Sequence, residues 1–331
     1  MIALFKQKSP ANLVMLLIFG LLIKMPYLLQ PASLPGTLPG GLLFQGLLQV
    51  LAGGNPHSLT AALVAFALLY SQALMINYGV NEHRLTQKFT FLSGMAYLLT
   101  TSLVPEWNLL SPPLVASTLI IWAILKLFRT YNQQEVLGTL FNTGLIVGVA
   151  SMVFFPSAAF LLCLLLGILI LRPFRVNELL LFLMGALTPY YFYAVYLFLN
   201  DSLQLQTLFP HIHIELPQVG QSIRLAVAAG FLTIPFMVGS WHIQAQLRKM
   251  LIQVRKYWTI VLFYLLLALL VPFINSNASL HNWVLALPAF AAFHACAYLY
   301  PTKKWVAPLM FWGTVAFVVA QQYGLLHFKG L

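Results

Sequence analysis

Long apolar runs, each broken by a short polar stretch, recur along almost the whole chain. A helix needs about 20 apolar residues, within a range of roughly 17 to 25, to cross the hydrocarbon of a bilayer. Measured against that length, the pattern predicts eleven spans, at about 11–29, 58–79, 89–104, 112–128, 139–155, 157–172, 178–200, 222–242, 257–274, 282–300 and 306–326. The third, fifth and sixth are short. Val104-Pro105-Glu106 and Phe155-Pro156-Ser157 predict tight turns that join neighbouring spans into hairpins, because proline fixes φ and withholds a backbone donor. The expectation is an all-α, polytopic transmembrane bundle, a single integral membrane domain over residues 1–331 with no obvious repeat or low-complexity tract.

Composition strengthens that class. Of 331 residues, 61% are hydrophobic and 7% are charged, whereas a soluble domain carries roughly a quarter charged residues to solvate its surface. The charge pattern then orients the spans. With a cytoplasmic N-terminus, alternating crossings put Lys6, Lys8, Arg84, Lys88, Lys126, Arg129, Arg172, Arg175, Arg248, Lys249, Arg255, Lys256, Lys303 and Lys304 inside. Of the 17 Lys and Arg residues, only Lys24, Arg224 and Lys329 fall elsewhere. Insertion disfavours moving such residues across the membrane, so the C-terminus is expected outside. The formal net charge of +11 is therefore a topology signal. A nucleic-acid reader would gather its cations on one face, and no such partner is expected. The run 11–29, preceded by Lys6 and Lys8, exceeds a signal-peptide core and reads as a retained anchor. Cys163 and Cys296 both lie in apolar runs and read as buried small hydrophobes.

Outside the spans, three segments stand out. In the first outer loop, about 30–57, the stretch 41–52 is apolar with Gln45 and Gln49 one turn apart, which suits a helix lying in the interface. An outer loop at 201–221 carries Asp201, His211, His213 and Glu215, and the basic stretch Arg248–Lys256 faces anionic headgroups.

Charge is costly inside a bilayer, so the six acids are the first candidates for chemistry. Glu82, Glu135 and Glu178 stand beside inner basic residues and read as ion pairs. Glu106, Asp201 and Glu215 fall on the outer side and are the catalytic candidates. Glu106, on a proline-stiffened turn, could act as a general base or grip a sugar hydroxyl. The competing reading is a plain hairpin turn with Trp107 in the aromatic belt. His211, His213 and Glu215 alternate, so in an extended segment they share a face. Such N and O donors suit zinc, but a water-facing loop explains them as well, and no metal or other cofactor is assigned. Arg224, His211, His213 and His57 are the candidate substrate-binding residues, Arg224 because a guanidinium can take a phosphate bidentately. A salt bridge from Arg224 to Asp201 or Glu215 is the alternative. Lys24 is expected to snorkel to the headgroups. Gly144 and Gly148 form a GxxxG packing pattern, and Asn77, Asn142 and His294 are expected to bond between helices or line a cavity. A P-loop is absent, which argues against direct ATP use.

Two resemblances add to this. Residues 1–10 (MIALFKQKSP), Pro105 to Pro113 (PEWNLLSPP) and Leu169 to Phe174 (LILRPF) resemble an uncharacterised inner-membrane family of Bacteroidota over most of the chain. Members are sometimes labelled as carotene monooxygenases, but those enzymes are iron-bearing β-propellers, and nothing here reads as strand-rich. From about Leu85 to Leu187, with Phe141 to Ala150 (FNTGLIVGVA) the nearest stretch, the rhythm resembles membrane glycosyltransferases that use polyprenyl-phosphate sugars. Such enzymes place an essential acid in the first outer loop. Loop 30–57 has none, and its ionisable side chain is His57. The resemblances imply a bacterial inner-membrane protein of envelope biogenesis that handles lipid-linked sugars at the outer face. The alternatives are a non-enzymatic membrane subunit of a transport or secretion assembly and, third, a small-molecule permease. Its expected partners are membrane lipids together with a polyprenyl-phosphate-linked substrate or other membrane subunits.

Overall fold

The computed structural model describes residues 2–7, 9–29, 41–52, 58–201, 223–274, 280–301, 303 and 305–322. Among them the chain is helical, with no strand. In order, the helices are α1 (Ile2–Phe5), α2 (Ala11–Leu29), α3 (Leu42–Ala52), α4 (Leu59–Glu82), α5 (Leu92–Thr100), α6 (Pro112–Phe128) and α7 (Leu137–Val153). They continue as α8 (Phe160–Leu171), α9 (Val176–Leu199), α10 (Ile223–Gln246), α11 (Ile252–Leu270), α12 (Leu287–Leu299) and α13 (Val306–Gln322). Six helical stretches are long and apolar enough to cross a membrane: α2, α4, α9, Ile223–Lys249, Ile252–Phe273 and Leu280–Leu299. Stretches Pro112–Phe128, Leu137–Val153, Phe155–Leu171 and Val306–Gln322 are apolar but shorter. The amphipathic segment expected at 41–52 is the helix α3.

Local chemistry sets several of the boundaries. Ser58 caps α4, its hydroxyl accepting from the Ala61 N–H at 3.1 Å, which satisfies one of the amides that a helix start leaves free. Pro112 and Pro113 open α6, where a missing N–H costs nothing. α9 ends at Asn200 and Asp201; Asp201 takes the left-handed φ of 51° and its N–H donates to the Phe198 carbonyl at 3.1 Å. Aspartate tolerates that conformation better than most residues.

Hydrogen bonds sort the helix ends into two groups. At one end the Phe91 N–H donates to the Phe5 carbonyl, the Gln87 N–H to Tyr300 Oη and the Gln87 amide to Gln246 Oε1. Trp258 Nε1 reaches the Leu85 carbonyl there, Tyr257 Oη the Phe128 carbonyl, and Arg172 the Thr130 and Gln133 carbonyls. The basic loops therefore share this end. At the opposite end the Gly41 N–H meets the Val153 carbonyl, Trp107 Nε1 the Leu280 carbonyl, and Gln322 Nε2 the Ile23 carbonyl. The 3-10 turns Phe155–Ala159, Val271–Phe273 and Leu280–Ala286 also touch one another at this end.

Two helices make the centre. Every residue of the nine-residue α5 is buried, as is α12 from Leu287 to Tyr298, and the two pack together. At the periphery, α9 buries five of its 24 residues and α10 four of its 24. Their outward faces carry Met184, Phe192, Met237 and Trp241, as befits contact with lipid. α9 is held by α7 through close backbone approach. A Cβ on Gly144 would stand 2.0 Å from the Phe182 carbonyl oxygen, and one on Gly185 2.2 Å from that of Phe141. The glycine pair expected to be a packing device is one, as small residues are at membrane helix contacts. Asn77 accepts from Ser93 Oγ at 3.0 Å and His294 Nε2 meets the Leu232 carbonyl at 2.8 Å, both between helices. Asn142 instead lines a polar cavity.

Candidate functional site: a buried ionisable cluster

Opposite the basic loops, side chains from α2, α5, the 3-10 turn Pro105–Asn108 and the turn Leu280–Ala286 converge. Lys24 is the anchor. Its position in an apolar helix suggested a side chain reaching for headgroups, but the structure corrects that: Lys24 is 2% exposed and points into the bundle. Its ammonium donates to Thr101 Oγ1 at 2.9 Å and to Asn108 Oδ1. Both acceptors are neutral, and no counter-charge meets Lys24 among the described residues, which makes its charged form costly to bury. An ammonium carries three N–H donors, of which these contacts use two.

Among the described residues no carboxylate pairs with Lys24, and the acid of the adjoining turn is Glu106. Glu106 lies on the 3-10 turn that carries Asn108, and its Oε2 is buried with no hydrogen-bond partner among the described residues. Tyr27, one helical turn beyond Lys24, has its hydroxyl beside the Gln322 amide and within reach of the Glu106 charge. His281 is buried close to the Glu106 main chain, and its Nδ1 has no partner among the described residues. Native proteins satisfy nearly all buried polar atoms, so the Glu106 and His281 atoms left over here point to water or a ligand that completes them.

The turn is rigid because it is tied on both sides. Trp107 is buried, not set in an aromatic belt, and its indole N–H reaches the Leu280 carbonyl at 2.8 Å. Asn108 Nδ2 donates to the Val104 carbonyl at 3.3 Å. The hydroxyls of Thr100, Thr101 and Ser102 turn back onto the Tyr97 and Leu98 carbonyls, satisfying acceptors left free where α5 stops.

Of the candidates read from the sequence, Glu106 alone enters this cluster among the described residues. Asp201 is exposed and terminates α9. Arg224 is exposed at the start of α10 and makes no ion pair with a described residue, so the expected bond to Asp201 is absent. His57, His211, His213 and Glu215 lie outside the described residues. Among the described residues, no three His, Cys, Asp or Glu side chains gather as a metal site. The cluster members not predicted are Lys24 in this role, Tyr27, Thr101, Asn108 and His281. The signal for Lys24 was available, since it is the one cation well inside the first apolar run.

The basic end holds a contrasting pair. Buried Arg172 grips buried Glu178 with two bonds, Nε to Oε2 at 2.7 Å and Nη2 to Oε1 at 2.9 Å. Its remaining donors serve the Thr130 and Gln133 carbonyls, and Arg175 adds a longer contact of 3.8 Å to Glu178. The expectation of an inner ion pair holds for Glu178; Glu82 and Glu135 make none with a described residue.

Compared with known proteins, the chain matches no family model, no curated protein and no solved structure.

Proposed function

We propose that the chain handles a lipid-linked sugar phosphate at the outer face of a bacterial inner membrane, with the Lys24 cluster as the binding and reaction site. The observation that carries this reading is a buried Lys24 that meets neutral Thr101 and Asn108, at the same end of the bundle as a Glu106 carboxylate oxygen and a His281 nitrogen that have no partner among the described residues. In this scheme the remaining Lys24 N–H binds the phosphate of a polyprenyl-phosphate sugar. Glu106 accepts the proton of an acceptor hydroxyl as it attacks the sugar carbon, and the polyprenyl phosphate leaves. His281 and Tyr27 orient the sugar. Lys24 takes the role that the sequence suggested for Arg224, and Glu106 replaces the missing acid of the first outer loop.

The accompanying topology is eleven crossings, with the N-terminus in the cytoplasm and the C-terminus outside. It is supported by the gathering of basic loops at one end and by positive-inside insertion. Likeness to the Bacteroidota family and to polyprenyl-phosphate-sugar transferases supports the cellular setting.

The test uses the purified full-length protein with a polyprenyl-phosphate hexose, alongside the lipid-linked glycan profile of a deletion strain. Glycan transfer or release that Glu106→Gln abolishes, with a changed profile in the strain, is the expected result. An unchanged profile and no lipid-sugar binding would sink it. A second reading, a non-enzymatic subunit of a membrane assembly, is favoured by the apolar outer faces of α9 and α10, where Trp241 is 75% and Leu199 74% exposed. Stoichiometric co-purification of another membrane protein would support that reading.

A further inference from the structure

A second binding feature lies at the basic half of the bundle, remote from the cluster. Side chains of α4 and α6 line a surface groove of about 520 Å³, among them Leu74, Met75, Thr118, Leu119 and Leu125. Tyr78 and Trp122, 43% and 46% exposed, stand at its margins, and Lys126 and Arg129 close one end. Those two cations also line an adjoining cavity of about 210 Å³, whose other walls are Thr130, Gln133, Val136 and Thr139. An apolar groove and a polar cavity thus meet at a pair of positive charges. This is the outline of an amphiphile with an anionic junction between tail and head.

The cations are held ready. Arg129 donates from Nη2 to Tyr78 Oη at 3.0 Å and its guanidinium lies 5.7 Å from the Tyr78 ring centre. The Lys126 ammonium lies 5.4 Å from the Trp122 ring centre. Neither makes a salt bridge to a described residue. Ring stacking fixes the direction of each charge without neutralising it. By contrast the Arg172 guanidinium meets a carboxylate counter-charge in Glu178.

We infer that this groove is a specific site for an anionic phospholipid, its phosphate bridging Lys126 and Arg129, an acyl chain in the groove and its headgroup in the polar cavity. Charge complementarity selects the occupant: a zwitterionic lipid would bring its own cation to two others. Basic pockets between transmembrane helices on the cytoplasmic side recognise anionic headgroups in this way. The site stands apart from the proposed reaction and survives its failure.

Native mass spectrometry of the full-length protein in detergent, titrated with dioleoylphosphatidylglycerol, tests the inference. Dioleoylphosphatidylcholine and soluble glycerol 1-phosphate are the comparison probes. The expected result is retained phosphatidylglycerol adducts, with little of either comparison probe bound. Lys126→Gln with Arg129→Gln should weaken phosphatidylglycerol about tenfold or more. Met75→Trp, which fills the groove and leaves the charges intact, should weaken it as well. Arg248→Gln with Lys249→Gln, on exposed cations at the same end, should change it less than about twofold. Equal retention of both lipids, equal binding of glycerol 1-phosphate, or equal loss from the Arg248/Lys249 variant would each overturn the site. The first would mean no headgroup selection, the second no role for the groove, and the third only diffuse surface charge.

Discussion

Two buried cations, one at each end of the bundle, have opposite surroundings. Arg172 meets a buried carboxylate through a two-bond fork and spends its other donors on two carbonyls. Lys24 meets a threonine hydroxyl and an asparagine amide, while at the same end a Glu106 carboxylate oxygen and a His281 nitrogen have no partner among the described residues. The first arrangement is closed, since every strong group already has its counterpart and a ligand could only compete. The second is open, with charge and unfilled acceptors in one place. A buried ion pair adds little net stability relative to apolar residues but is costly to break on one side. Burial alone therefore does not separate structure from function here. The state of the partner does.

The comparison is most sharply broken by removing half of the closed pair. Glu178→Ala leaves Arg172 buried and uncompensated and is expected to cost ~3–5 kcal/mol, read as a fall in the unfolding midpoint in detergent. The next largest effect belongs to the open cluster. Glu106→Gln keeps shape and hydrogen bonding but removes the base. It should lower lipid-sugar turnover about a hundredfold or more, with the unfolding midpoint nearly unchanged. If stability falls as far as for Glu178→Ala, Glu106 is a structural group and the contrast is lost. Smaller again, Lys24→Met should weaken polyprenyl-phosphate binding about tenfold, the loss of one charge-assisted contact of ~1.4 kcal/mol, measured by equilibrium binding. Its stability should change by less than about 1 kcal/mol, because losing the bonds to Thr101 and Asn108 is offset by no longer burying a charge.

The smallest effect is a pH dependence confined to the closed end. His83 follows α4, packed edge-on to Phe128 and Tyr257 with Nε2 unpartnered. Burial, with Arg129 beside it, pushes its imidazole down to about 4 from the ordinary 6.5. Between these values the unfolded chain binds more protons, so stability rises with pH. The contribution is intact above about 6.5 and disappears as pH falls towards 4. With partial solvent access taken into account, going from pH 7 to pH 5 should cost ~1 kcal/mol. His83→Leu should flatten that slope in a pH series of unfolding midpoints.

Much of the fold was legible because lipid imposes a simple rule of length and polarity. Every predicted span finds a helix among the described residues, and the segment at 41–52 forms the separate helix α3. The glycine contact between α7 and α9 was legible for a similar reason, since the spacing of small residues is itself the geometry. The site was less legible. In a helix apolar all round, nothing local tells which face turns inward, so Lys24 was assigned to the headgroups. His281 joins Glu106 from far along the chain, a proximity that spacing cannot express. The Arg172–Glu178 pair, six residues apart, was within reach of sequence reasoning, whereas the exposure of Arg224 emerged only with α10 in place.

One consequence follows from the brevity of α5. Nine residues of helix rise about 14 Å, less than half of a ~30 Å hydrocarbon slab. The neighbouring α6, with 17 residues, rises about 26 Å. The chain from Thr101 to Ser111 must therefore cover the remaining height in turns and the short 3-10 segment Pro105–Asn108, most of it buried among other helices. Loose backbone is tolerated at such depth only inside protein or along a wet hollow. Its amides are spent inward, Ser102 on the Leu99 carbonyl, Leu103 on Thr100, Trp107 on Val104 and Leu109 on Glu106, so polar backbone is kept from lipid without a continuous helix.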